Sequence, residues 1–114
     1  MKSNDLRRFK NRLLAMRARL RGDLVRMREE MFSEAPGQTR MPIHAADVAG
    51  QRYDEATDVQ LMAAKEDIWS AIEKALESME DGTYGNCVQC GRAIAKARLD
   101  AIPYAAECVE CASR

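Results

Sequence analysis

Apolar residues fall at Leu6, Phe9, Leu13, Met16, Leu20, Leu24, Met27 and Met31, always three or four apart, with charged residues between them. That spacing keeps one narrow apolar stripe on a single side of a helix. It predicts a helix over about 4–33, with Ser3 or Asn4 as the N-cap whose oxygen accepts from a free first-turn amide. Gly22 is the one poor helix former inside, at about 1 kcal/mol. Ala35-Pro36-Gly37 and Met41-Pro42 then break the pattern. A second periodic stretch, about 50–81, carries Leu61, Ala64 or Lys65, Ile68, Ile72, Ala75 and Met79, thickened by Leu76. It closes at Asp81-Gly82, where glycine supplies the left-handed backbone that ends helices. Two helices of roughly 30 residues are each about 45 Å long at 1.5 Å per residue. Equal lengths joined by a modest linker favour an antiparallel pair, since parallel packing would need a connection spanning the whole helix. The expected fold is mainly α. A two-helix coiled-coil hairpin over 1–81, with a tip loop at 34–49, is followed by a small Cys-rich unit over 82–114.

Composition changes the picture only modestly. The 114 residues, 46% hydrophobic and 32% charged, suit one ordered domain. There is no apolar run long enough for a membrane span, and the N-terminus has no apolar secretory core, so a cytoplasmic protein is expected. Charge balances at 18 basic against 18 acidic residues, which removes a global field toward nucleic acid. Its distribution is uneven: residues 1–28 hold ten Lys or Arg against two Asp, and residues 51–81 hold nine Asp or Glu against three Lys or Arg. Packed against each other, such helices attract along their flanks. The alternative function for the Arg-rich first helix is a nucleic-acid surface or a small zinc-finger adaptor, but the acidic neighbour cancels much of its field. Met16, Met27, Met31 and Met79 lie on the stripes, where flexible thioethers fill an irregular seam.

A narrow hairpin buries too little to stand alone and needs an anchor at one end. Cys87, Cys90, Cys108 and Cys111 are the only cysteines, arranged as two C-x2-C pairs. This spacing lets two tight turns offer four thiolates to one tetrahedral zinc ion. Gly91 follows the first pair, as a turn requires when its amides point back at sulfur. Disulfides would need an oxidising compartment, and a redox pair would need a βαβ context that is missing here. An iron–sulfur cluster fits paired knuckles less well than zinc. Four sulfur ligands leave no open position for water or substrate, so the metal is expected to be structural. Ile94, Leu99, Ile102 and Pro103, between the knuckles, form a small apolar set to cover the site. No enzyme is expected: His44 is the only histidine, it lies in the linker, and no nucleophile or phosphate-loop motif occurs.

The run Tyr84-Gly85-Asn86-Cys87-Val88-Gln89-Cys90-Gly91, then Ile94, Arg98-Leu99-Asp100-Ala101-Ile102-Pro103 and Cys108-Val109-Glu110-Cys111 resembles the signature of the DksA/TraR family of bacterial transcription regulators. The resemblance implies direct binding to RNA polymerase rather than to DNA. It also implies insertion of the hairpin into the secondary channel, with the zinc end at the rim. The family's acidic tip pattern, D-x-x-D-x-A, aligns with His44-Ala45-Ala46-Asp47-Val48-Ala49. Asp47 and Ala49 match it, and His44 replaces the first Asp, which would add a group titrating near pH 6.5. Asp47 is equally suited to N-cap the second helix. Members that respond to guanosine tetraphosphate carry basic residues where this sequence has Ala64, Ala71 and Ala112, so any response through that site is expected to be weak or absent. Longer members have an N-terminal extension and a C-terminal helix that this sequence lacks, which implies weaker or different rim contacts.

Overall fold

The computed structural model describes residues 1–32 and 45–114, and within 45–56 the backbone only. Helix α1 spans Ser3–Met31 and helix α2 spans Ala45–Asp81. They pack as an antiparallel hairpin, and the molecule measures 58 × 29 × 19 Å. Two short helices, α3 (Lys96–Ala101) and α4 (Val109–Ala112), belong to the Cys-rich unit.

The α1 stripe is read correctly from the sequence. Phe9, Leu13 and Leu20 are buried, and Leu6, Met16, Leu24, Met27 and Met31 are half-buried beside them. The N-cap is a correction. Lys2 occupies it with extended backbone and no side-chain cap bond, so neither Ser3 nor Asn4 serves. The first turn is held instead by Asp5, whose carboxylate takes Lys96 of the Cys-rich unit at 3.2 Å. Asp5 also favours the positive end of the helix dipole.

On α2 the predicted stripe is off by one position at its distal end. Leu61 is 47% exposed, while Met62 is 8% exposed. Lys65, Trp69, Ile72, Leu76 and Met79 continue the face that Met62 starts, at the 3.5-residue spacing of a supercoiled pair. The expected start near 50 is also corrected, because α2 begins at Ala45. Ala45, Ala46 and Ala49 are the best helix formers and offset the roughly 1 kcal/mol cost of Gly50. Asp47 is therefore inside the helix rather than its N-cap; of the expected loop 34–49, residues 45–49 are helical and 34–44 lie outside the described residues. His44 lies outside the described residues.

Burial is concentrated at one end. Phe9, Leu13 and Ile72 from the hairpin close on Tyr84, Ile94 and Leu99 from the Cys-rich unit in one core, and Pro103 is fully buried as well. The Phe9 and Tyr84 rings meet at 5.9 Å with a 50° tilt, the offset geometry that aromatic quadrupoles favour. Ion pairs finish the flanks: Arg17–Glu73 at 3.1 Å, Arg28–Glu66 at 3.9 Å and, in the opposite sense, Lys65–Asp23 at 2.9 Å. Arg8 and Arg12 reach across to the carboxylate and the carbonyl of Asp100, both on exposed surface. Much of the α1 charge is thus engaged within the molecule.

Candidate metal centre

The Cys-rich unit begins where α2 stops. Gly82 adopts φ +78°, the left-handed conformation predicted for it, and Thr83 and Tyr84 both donate to the Ser78 carbonyl to close the helix end. Gly85, at φ +90°, holds a backbone conformation that L side chains rarely adopt, so a substitution there is strained.

The first knuckle is a tight antiparallel turn. Asn86 bridges to Ala93, the Cys87 amide donates to Arg92 O at 2.8 Å, and the Gly91 amide returns to Cys87 O at 2.9 Å. The second knuckle sits at the start of α4, where the Ala112 amide donates to Cys108 O at 2.9 Å. Two bonds tie the knuckles together. The Val88 amide donates to Ala106 O at 2.9 Å, and Arg98 Nε donates to Glu107 O at 2.8 Å. Arg98 is thus a brace for the second knuckle, and Lys96 is held by Asp5. Neither tunes the thiolates directly.

The two pairs that are far apart in sequence converge here. The Sγ atoms of Cys87, Cys90, Cys108 and Cys111 all lie within 4.8 Å of one another. A tetrahedron with bonds of about 2.3 Å to zinc has sulfur–sulfur edges of about 3.8 Å. Cys90 Sγ and Cys108 Sγ are 3.8 Å apart. The donor set is soft, four-fold and closed, which fits zinc and excludes the oxygen-seeking ions. The fold thus builds one structural zinc site, and the four cysteines would hold the ion.

Electrostatics support the fit. The Cys87 thiol is lowered to about 6, chiefly because the Cys108 amide, then those of Cys90 and Gln89, point at its sulfur. The Cys111 thiol is pushed up to about 12, first by the bond it shares with Cys108, then by burial and the sulfurs of Cys87 and Cys90. Thiols this close cannot all ionise unless a cation neutralises them, so metal binding and proton release are coupled. Tyr84, whose hydroxyl donates to Pro103 O at 2.8 Å, is likewise raised to about 12 by burial.

Sequence reasoning found the four cysteines and the apolar set, of which Ile94, Leu99 and Pro103 are buried and Ile102 is half-buried. It missed Tyr84 as the contact between finger and hairpin. An aromatic placed directly before the knuckle glycine, on a chain with few aromatics, was the available signal. Ala64 and Ala112 are exposed and Ala71 is half-buried.

Comparison with known proteins agrees with this construction. Residues 82–114 match the family described as prokaryotic dksA/traR C4-type zinc finger. The RNA polymerase-binding transcription factor DksA of Caulobacter vibrioides is 32% identical over 114 residues, covering 100% of this chain and 78% of that protein. The protein of the same name from Escherichia coli K12 is 31% identical over 111 residues, covering 97% of this chain and 71% of its own length. The solved structure of transcription factor DksA2 from Pseudomonas aeruginosa superposes with a TM-score of 0.78 at 25% identity, covering 100% of this chain and 84% of that one. A zinc finger matched in place, and a hairpin shared along its whole length with such relatives, establish that the chain belongs to the DksA/TraR family.

Proposed function

We propose that this protein is a bacterial transcription regulator that binds RNA polymerase directly and inserts its helical hairpin into the secondary channel to modulate initiation. The observation that carries this reading is the match over the entire chain to relatives named for polymerase binding. The shape suits it. The hairpin is a slender rod, anchored at one end by the zinc finger and its buried core. Cys87, Cys90, Cys108 and Cys111 act as the zinc ligands, and the metal is structural, so the protein works by occupying space and presenting charge, not by catalysis.

Asp47 and Ala49 are the tip residues in this proposal. They lie in the first turns of α2, about 50 Å along the helix from Asp81 at 1.5 Å per residue. A carboxylate carried there reaches far beyond the finger at the rim. Ala64, Ala71 and Ala112 offer only methyl groups, so guanosine tetraphosphate has no cationic partner at those positions and a response through them is weak or absent. The site of action is the cytoplasm, and no helix among the described residues is long and apolar enough to cross a membrane.

The test is capture of core polymerase by zinc-loaded protein without DNA, followed by competition with a transcript-cleavage factor for the channel. Binding and mutual exclusion are expected. Asp47→Asn should leave capture intact and reduce the effect on promoter complexes. Absence of both binding and competition would remove the proposal, and full activity of the Asn variant would move the active tip elsewhere. Salt-sensitive retention on DNA without polymerase binding would favour the Arg-rich helix as a nucleic-acid surface instead.

A further inference from the structure

The outer face of α1 in its finger-proximal half, opposite the seam, takes no part in the core or the metal centre. Between Leu6 and Gly22 stand seven basic residues and no acidic one. Arg7, Lys10 and Arg21 are three and eleven residues apart, close to whole helical turns, and form one bank. Arg8, Arg12 and Arg19, four and seven residues apart, form the other. Between the banks run Asn4, Asn11, Ala15, Ala18 and Gly22, all exposed, with open space over Gly22. At the finger end, Arg7, Arg8 and Arg12 with Asn4, Asn11 and Ala15 shape an open cradle of about 470 Å³.

The structure revises the expectation that the acidic second helix cancels this charge. Helix α2 packs on the opposite side of α1, in one core with Phe9, Leu13 and Leu20. Its carboxylates meet α1 at the flank, Glu73 on Arg17 and Glu66 on Arg28. On the second bank Arg8 is shared between Asp5 and Asp100, Arg12 donates to Asp100 O, and Arg19 acts on Asp23. The first bank is uncompensated: Arg7, Lys10 and Arg21 make no ion pair or side-chain hydrogen bond among the described residues.

Six of the seven cations are Arg, whose planar fork grips phosphate oxygens in pairs. A protein partner needs large apolar anchors at the centre of its contact, and the floor here offers amides and methyl groups. A single strand needs aromatic platforms for its bases, and no aromatic ring lies between the banks. The banks stand one helix apart, about 10–12 Å, close to the roughly 12 Å major groove of B-form DNA. The major groove of duplex RNA is too narrow for that. We propose that this face binds the phosphate backbone of double-stranded DNA without regard to sequence, with Arg7, Lys10 and Arg21 as the main contacts. These three span about 21 Å of helix. The inference is independent of the polymerase reading, since it concerns free protein and the end of the hairpin far from Asp47.

The test is fluorescence anisotropy of a labelled DNA duplex of about 20 base pairs, titrated with zinc-loaded full chain from about 50 to 200 mM salt without polymerase. Binding should weaken steeply with salt, and two duplexes of unrelated sequence should bind alike. Arg7→Gln, Lys10→Gln and Arg21→Gln together should cut affinity about tenfold or more and flatten the slope of log K against log salt by about 2.7. All three positions are exposed, so circular dichroism should not change. Lys74→Gln with Arg92→Gln, exposed cations outside this face, should change affinity by less than about twofold. No binding with about 100 µM protein at 50 mM salt overturns the proposal. So does an equal loss in the two variants, which would mean a diffuse field and no defined face. Single-stranded DNA or duplex RNA bound as tightly as duplex DNA also overturns it. Capture of core polymerase is measured separately, so either reading can fail while the other stands.

Discussion

Leu99 is fully buried in α3, outside both long helices, yet it belongs to the same core as Phe9, Leu13 and Ile72 of the hairpin. Leu99→Ala should therefore unfold the helices as well as the finger. Truncating a fully enclosed Leu costs about 3–5 kcal/mol when the site cannot collapse, and here it is enclosed by elements fixed at both ends. Leu24, half-buried in the distal hairpin where neighbours are fewer, should cost nearer 1 kcal/mol on the same change, since less apolar area leaves water there. A domain of this size has about 5–15 kcal/mol in total, so the first loss is a large fraction and the second is not. The assay is urea denaturation of zinc-saturated protein followed by far-ultraviolet circular dichroism, which reports mainly α1 and α2. With a urea slope of about 1–1.5 kcal/mol per molar, Leu99→Ala should lower the helix midpoint by about 2 M or more, and Leu24→Ala by under about 1 M. If Leu99→Ala leaves the helix midpoint within about 0.5 M of wild type, or Leu24→Ala costs more, the hairpin is not held from its base and the reasoning fails.

Three further outcomes follow from the base of the hairpin. Removing zinc with a strong chelator should melt the finger and lower the helical signal, because structural zinc supplies folding free energy comparable to a small domain's whole stability; readdition should restore both, and an unchanged spectrum after verified removal would contradict the site. Tyr84→Phe keeps the ring against Phe9 but loses the bond to Pro103 O, at about 1 kcal/mol in thermal or urea melts. With its phenol raised to about 12 from 10.0, Tyr84 should ionise above the ordinary tyrosine range, and stability should fall as pH rises from the unfolded value through the folded one. A phenol absorbance titration in which the difference between wild type and Tyr84→Phe falls at the ordinary value of 10.0 would refute it.

The finger was legible because chemistry constrains it tightly. Few arrangements let four sulfurs reach one ion, so two C-x2-C pairs name both the metal and the turns. The α1 stripe was legible for a similar reason: eight apolar residues on one side leave one way to bury them. The distal end of α2 was not legible, because Leu61 and Met62 are adjacent and both apolar. Only the tertiary seam decides between them, and the supercoil places Met62 inward. The start of α2 was less legible, because Ala45, Ala46 and Ala49 favour a helix without adding a large apolar residue to the stripe. The Arg98 brace on Glu107 O and the Arg12 reach to Asp100 O end on backbone carbonyls, which carry no residue-specific trace in a sequence.

Charge counts are the most instructive case, since they are right in bulk and wrong in the pair that matters most. The sequence sets a basic α1 against an acidic α2, yet among the described residues the shortest interhelical ion pair joins Asp23 of α1 to Lys65 of α2. Two faces of uniform and opposite sign would attract in several registers, whereas one reversed pair is satisfied in only one. It sits in the distal hairpin, where apolar burial is thinnest, so the local register depends on it more than it would near the finger. The hydrogen bond from Lys65 holds the Asp23 carboxyl below its ordinary 3.8, with Coulombic help from Lys65, Arg26 and Arg19 against the cost of burial. A depressed folded value means that this contribution is fully present above about pH 4 and is lost as pH falls through the folded value. Hydrogen exchange from pH 7 downward should therefore show protection disappearing first in the distal turns around Leu24 and Met62, while turns near Phe9 and Ile72 persist. Asp23→Asn should show the weaker distal protection already at neutral pH and little further loss in acid. Equal acid sensitivity at both ends, or an Asn variant that behaves as wild type across the range, would show that the reversed pair has no part in setting the register.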